Sequence, residues 1–191
     1  MNGFVTVVSG LPRCGTSMMM RMLEAGGMEL LVDNIRKPDD DNPKGYYELE
    51  VVKKIREDAS WLEGSHGKVF KMVSMLLYDL PGDKKYRVIF MRRDIDEMLA
   101  SQRKMLERNG KSVENYDNGE MKRLYSNHLP AIEKWLSEQK NMEVLYVNYN
   151  DTICSPEETA HRVNQFLGNR LDVGEMLKAV DKSLYRQRKS A

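Results

Sequence analysis

The sequence predicts an α/β fold, a three-layer domain of the phosphate-binding-loop (P-loop) type with a mainly parallel central sheet flanked by helices. Three observations carry that prediction. A β-branched apolar run, Phe4 to Val8, leads through a loop closed by Gly10 and Gly15 into the apolar helical run Met18 to Leu23. Further strand-like runs stand at Lys68 to Val73, Tyr86 to Asp94 and Val144 to Val147. Segments of helical period lie between most of these runs, and strands alternating with helices call for a parallel sheet covered on both faces.

The elements follow in order. Strand Phe4–Val8 is central, and the helix after the loop ends at Gly26-Gly27. Glycines at 10 and 15 let the backbone curl so that its N–H groups and the positive helix end converge on an anion. Met28 to Val32 is a short strand at the sheet edge. Asp33 to Lys44, polar and holding Pro38 and Pro43, is a surface loop, and loops of this length in compact domains often serve function. From Tyr46 to Ile55, apolar residues at 47, 51, 52 and 55 with charges between them predict a helix.

Lys68 to Val73 reads as an interior strand, after a Gly-Ser-His-Gly turn that contains His66. Ligands of open α/β sheets bind beyond the carboxyl ends of strands, so Lys71 is placed to reach an anion. Leu76 to Tyr78 is a helical turn closed by Pro81-Gly82. Strand Tyr86–Asp94 follows, with Asp94 capping a helix that carries Glu97 at its third position and an apolar stripe of Ile95, Met98, Leu99, Met105 and Leu106. Glu107 to Gly119 is polar and loops over the face that holds the anion site. Met121 to Lys140 is an amphipathic helix that Pro130 kinks or divides. After strand Val144–Val147, a turn over Asn148 to Ile153 leads to Ser155-Pro156-Glu157-Glu158, a capping box opening a helix to about Leu167. The basic tail, Leu184 to Lys189, reads as a solvated terminus.

Composition narrows the function classes. At 191 residues the chain suits a single domain over 1–191. Lys+Arg 30 against Asp+Glu 29 leaves a net charge of +1, so no global field points to nucleic acid or an anionic membrane, and any anion site is local. No apolar segment approaches the roughly 20 residues that span a bilayer, and the N-terminus lacks a signal-peptide pattern, which predicts a cytoplasmic protein. Two cysteines, Cys14 and Cys154, are too few for a disulfide framework or a zinc site. A tyrosine-phosphatase reading of Cys14 fails because Arg21 falls one residue late for Cys-x5-Arg, leaving Cys14 as a small loop filler.

The loop chemistry is specific. Gly10-x4-Gly15 has the spacing of the nucleoside-triphosphate motif, but Thr16 stands where that motif requires lysine, and a cation appears inside the loop at Arg13 instead. Gly10-Leu11-Pro12-Arg13-Cys14-Gly15-Thr16-Ser17 resembles the 5′-phosphosulfate loop of sulfotransferases, which use 3′-phosphoadenosine 5′-phosphosulfate (PAPS). Arg93 and Ser101, eight residues apart, match that family's 3′-phosphate segment, an arginine ending a strand and a serine two turns into the next helix. Asn42-Pro43-x-Gly45-Tyr46-Tyr47-Glu48 resembles a segment of its bacterial members.

The resemblance implies sulfuryl transfer from PAPS to a small-molecule or carbohydrate acceptor, with no metal, no nucleic acid partner and 3′-phosphoadenosine 5′-phosphate as product. Loop amides from Arg13 to Thr16, the Arg13 guanidinium, Lys71 and the hydroxyls of Thr16 and Ser17 then hold the phosphosulfate. The cytosolic branch supplies a base from a Lys-Thr-His strand, whereas here Met72 and Val73 follow Lys71. Glu48, the residue type used by carbohydrate sulfotransferases, becomes the first candidate base and His66 the second. Arg186 or Arg188 would fold back onto the 3′-phosphate, as basic C-terminal segments do in many members. Two alternatives stay open, a P-loop kinase acting on a small molecule and a non-catalytic module that binds 3′-phosphoadenosine nucleotides.

Overall fold

The computed structural model describes residues 3–33, 35, 39, 45–108, 110, 117–181 and 183. Four strands, β1 (Val5–Gly10), β2 (Val69–Val73), β3 (Tyr86–Arg92) and β4 (Met142–Asn148), form one sheet in the order β2-β1-β3-β4. Every pairing is parallel: Gly10 lies opposite Val73 on one side and Met91 on the other. Six helices complete the described chain: α1 (Thr16–Ala25), α2 (Ile95–Arg108), α3 (Asn118–Glu138), α4 (Tyr149–Cys154), α5 (Pro156–Phe166) and α6 (Val173–Lys178). Short 3-10 turns cover Glu50–Lys54, Ser60–Leu62 and Ser74–Asp79.

Strand alternation sorts the core into two layers. On one face Val8, Val69, Ile89 and Met91 pack against the methionine-rich side of α1 and against α5 and α6. On the other, Val5, Val7, Phe70, Met72, Val88 and Phe90 meet Ile132 and Leu136 of α3 and the 3-10 turns. β1 and β3 are buried along almost their whole length because both faces are covered. The three-layer α/β fold with a parallel sheet is therefore the observed one.

Several local expectations are corrected. The helix predicted over Tyr46 to Ile55 shrinks to the 3-10 turn Glu50–Lys54. Tyr47 sits at φ 54°, which no right-handed helix accepts, and Asp33 ties the segment down by accepting from the Glu50 amide while its own amide donates to the Glu48 carbonyl. Met28 to Val32 forms only a single parallel bridge, Leu30 with Val69, at the β2 edge. Pro130 does not divide α3, which runs from Asn118 to Glu138 with the proline inside it. Its ring lies on the exposed side, where solvent can satisfy the carbonyl that loses its donor.

The capping box at Ser155 does not form through the side chain: α5 starts at Pro156, but Ser155 also closes α4 and makes no side-chain cap. The turn expected over Asn148 to Ile153 is helical, with the Asn148 side chain accepting from the amides of Asn150 and Asp151. α6 had no predicted counterpart, although Asp172 three residues before Glu175 is a capping pattern and does cap it at 3.0 Å. α2 extends to Arg108, and most of the loop expected over Glu107 to Gly119 lies outside the described residues, as do Asn42, Pro43, Arg186 and Arg188.

Candidate active site

Sheet order explains where a site can form. The chain leaves β1 toward β2, then returns across β1 to β3, so connections diverge at the carboxyl ends of β1 and β3 and leave a crevice there. A cleft of about 480 Å³ opens at that place. It is lined by the loop Gly10–Ser17 except Cys14, by Glu48 and Lys71 on one side, and by Arg93, Ser101 and Tyr149 on the other.

The loop owes its shape to three left-handed residues. Gly10 has φ 148° and Gly15 φ 100°, and Arg13 between them has φ 68°. A Cβ on Gly10 would lie 2.5 Å from Cys14 Sγ and 2.6 Å from the Met91 carbonyl oxygen, and one on Gly15 would strike the Tyr149 ring. Both glycines are therefore required by close packing as well as by backbone angle. Cys14 is buried under the loop, its amide donating to the Leu11 carbonyl at 3.3 Å. Burial pushes its thiol up to about 12, so it stays protonated at neutral pH and is a poor nucleophile. α1 begins at Thr16 with Gly15 as its N-cap and no side-chain cap on its first turn.

On the β2 side, Lys71 Nζ donates to Ser17 Oγ at 3.2 Å, and Ser17 Oγ donates to the Tyr46 carbonyl at 3.3 Å. Glu48 Oε1 stands 4.0 Å from Lys71 Nζ, with the two side chains only 24% and 14% exposed. The lysine in the middle of β2 thus reaches the loop hydroxyl next to the place that lysine occupies in the triphosphate motif. Tyr46, buried, anchors this wall through its hydroxyl, which donates to Asp39 at 2.7 Å.

On the β3 side, Arg93 and Ser101 do come to the cleft wall, but each is engaged with the loop. Arg13 Nε donates to Ser101 Oγ at 3.0 Å, linking residues 88 positions apart. Arg93 Nη1 donates to the Arg13 carbonyl at 3.2 Å, and Arg93 Nε to Glu97 Oε2 at 3.0 Å. The Arg93 guanidinium lies 4.4 Å from the Tyr149 ring centroid. Burial raises the Tyr149 phenol above its ordinary value, against the opposing pull of Arg93. Glu97 was expected to reach back to its helix cap. Asp94 does accept from the Asp96 and Glu97 amides, but the Glu97 carboxylate turns to Arg93 instead.

His66 is not brought to this site. It is exposed beside Gly3, with a 2.7 Å hydrogen bond between Nδ1 and the Gly3 carbonyl. That places it before β2 starts, at the amino ends of β1 and β2, with the sheet between it and the loop. Sequence reasoning missed Tyr149, Tyr46 and Glu97. Glu97 alone had a signal, its spacing of four from Arg93, which on a helix suits an ion pair as well as a cap. Among the described residues, no group of three His, Cys, Asp or Glu side chains could hold a metal ion, and no helix is long and apolar enough to cross a membrane.

Comparison with known proteins bears on this arrangement. Curated protein sequences yield no significant match. Among solved structures, the sulfotransferase domain from the curacin biosynthetic pathway is 15% identical with a TM-score of 0.58, covering 94% of this chain and 78% of its own, which shows a shared fold. An unliganded sugar kinase from Janibacter is 11% identical with a TM-score of 0.48 over 94% of this chain and 99% of its own, too distant to argue from. The family model described as sulfotransferase domain matches residues 5–191, and with nearly the whole chain inside that match the protein belongs to the sulfotransferase domain family.

Proposed function

We propose that the protein transfers a sulfuryl group from PAPS to a hydroxyl or amine acceptor. The observation that carries this reading is the meeting of Lys71 with Ser17 at 3.2 Å, which returns a cation to a loop whose own lysine position holds Thr16. The amides at the start of α1, Arg13, Lys71 and the Thr16 and Ser17 hydroxyls bind the 5′-phosphosulfate, and the Arg93–Ser101 wall takes the 3′-phosphate. Arg186 and Arg188 remain candidates for the same group from the tail.

In the transfer, the acceptor oxygen or nitrogen attacks sulfur in line with the bridging oxygen. The S–O bond breaks, its electron pair stays on the 5′-phosphate, and Lys71 and the loop amides meet the charge that grows there. Glu48, beside Lys71, takes the acceptor proton. Charge stabilisation comes from the protein's own cations, so no metal is called for. Past Glu48 the cleft wall turns apolar, with Leu49, Val52, Val73 and Leu76, which suits an acceptor with an apolar body.

Calorimetry in the presence of a chelator, followed by the same titration with magnesium-ATP, tests the donor. Tight metal-free binding of 3′-phosphoadenosine 5′-phosphate with clear preference over magnesium-ATP is the expected result. Equal or better binding of magnesium-ATP would return the protein to the kinase reading, and donor binding without turnover over a broad acceptor screen would favour the non-catalytic one.

A further inference from the structure

Helix α2 grips the loop at two points of a single residue. Ser101 holds the Arg13 side chain at 3.0 Å, and one turn earlier Glu97 holds Arg93, which in turn holds the Arg13 carbonyl at 3.2 Å. Residues four apart lie on one helix face, so the two grips act side by side and close a ring: Glu97, Arg93, Arg13, Ser101 and back through α2. At φ 68° Arg13 occupies a left-handed conformation that a residue with a Cβ adopts only when its surroundings impose it. The ring supplies that constraint.

We propose that Glu97 is a positioning residue of the donor loop, acting through Arg93 on the backbone carbonyl of Arg13. Its side chain is 3% exposed and lies outside the cleft lining, so it does not touch a ligand itself. Three further contacts seat the pair. Asn150 Nδ2 approaches Glu97 Oε1 at 3.5 Å, the Tyr149 ring faces Arg93, and the same ring packs where a Gly15 side chain would stand. The buried pair is thus joined to the loop at two points, Arg13 and Gly15. The consequence separates this role from simple 3′-phosphate recognition: disturbing Glu97 weakens ligands that carry only 5′-phosphates.

The inference rests on the loop binding nucleotide 5′-phosphates, and its test uses ADP, which has no 3′-phosphate. Calorimetry on the parent, Glu97→Gln, Arg93→Met and the double variant is expected to show about a tenfold or greater loss of ADP affinity for Glu97→Gln. In the Arg93→Met background the same change should cost less than about twofold, because the path runs through the Arg93 guanidinium. A merely structural role predicts a lowered melting temperature with losses that multiply in the double variant, and that result overturns the proposal. Should Glu97→Gln strand the buried arginine and fail to fold, Arg93→Met/Glu97→Met removes the pair as a unit and must also lose about tenfold in ADP affinity. ADP binding within about twofold of the parent in either folded variant overturns the proposal as well. A parent that prefers magnesium-ATP to 3′-phosphoadenosine 5′-phosphate ends the sulfuryl-transfer reading and leaves the ADP comparison intact, whereas a parent that binds no ADP ends this inference.

Discussion

At the scale of single residues, the cleft pairs each candidate with a neighbour that constrains its chemistry. Glu48 lies 4.0 Å from Lys71, on the same wall of the cleft. Glu48→Gln should leave donor affinity near the parent value and lower turnover by a factor on the order of 10² or more. Parallel calorimetry and steady-state rates with a working acceptor check it, and normal turnover would remove Glu48 from the mechanism. Cys14 and Cys154 make the opposite pair, one buried and one exposed. Because the folded-state Cys14 thiol is pushed up to about 12 from an ordinary value of 9.0, the folded form holds its proton longer than the unfolded one. The stability tied to that proton is therefore complete below pH 9 and is lost as pH rises toward 12. Iodoacetamide at pH 8 should label Cys154 alone in the native protein and both thiols in urea, as mass spectrometry of the peptides will show.

At the scale of elements, helix ends distinguish caps that work from caps that only fit a pattern. Asp117 Oδ1 accepts from the amides of Gly119 at 2.7 Å and Glu120 at 3.1 Å and starts α3, whereas Ser155 before α5 makes no side-chain cap. Asp117→Ala should cost about 0.5–2 kcal/mol in urea unfolding, and Ser155→Ala only a few tenths. Equal losses would mean that the Ser155 hydroxyl caps α5 in solution. The same scale explains the short 3-10 turn at Glu50–Lys54. Its apolar positions had helical period, but Tyr46 and Asp33 fix the preceding chain by contacts that periodicity does not encode.

At the scale of the whole molecule, the parallel sheet separates stability from binding. Ile132 is fully buried on the α3 face, while the cleft opens at the strand ends. Ile132→Ala should cost about 2–5 kcal/mol by cavity formation and leave nucleotide affinity unchanged. Urea unfolding and calorimetry on one preparation test both halves, and a matching loss of affinity would show that the two layers are mechanically coupled.

The sequence by itself determined the strand-loop-helix unit at 4–23, the three other strands, the two-sided core and the placement of Lys71 within the strand beside that unit. These are consequences of local periodicity and of residue types that permit few backbone shapes, such as Gly10 and Gly15. Only the tertiary structure decided that Arg13 lies against Ser101, that Glu97 serves Arg93 rather than its helix cap, that Tyr149 closes the loop from the start of α4, and that His66 stands at the amino ends of the strands. The physical reason is separation along the chain. Arg13 and Ser101 are 88 residues apart and Lys71 and Ser17 are 54 apart, and pairings across such distances follow from strand order and packing, which no local pattern records.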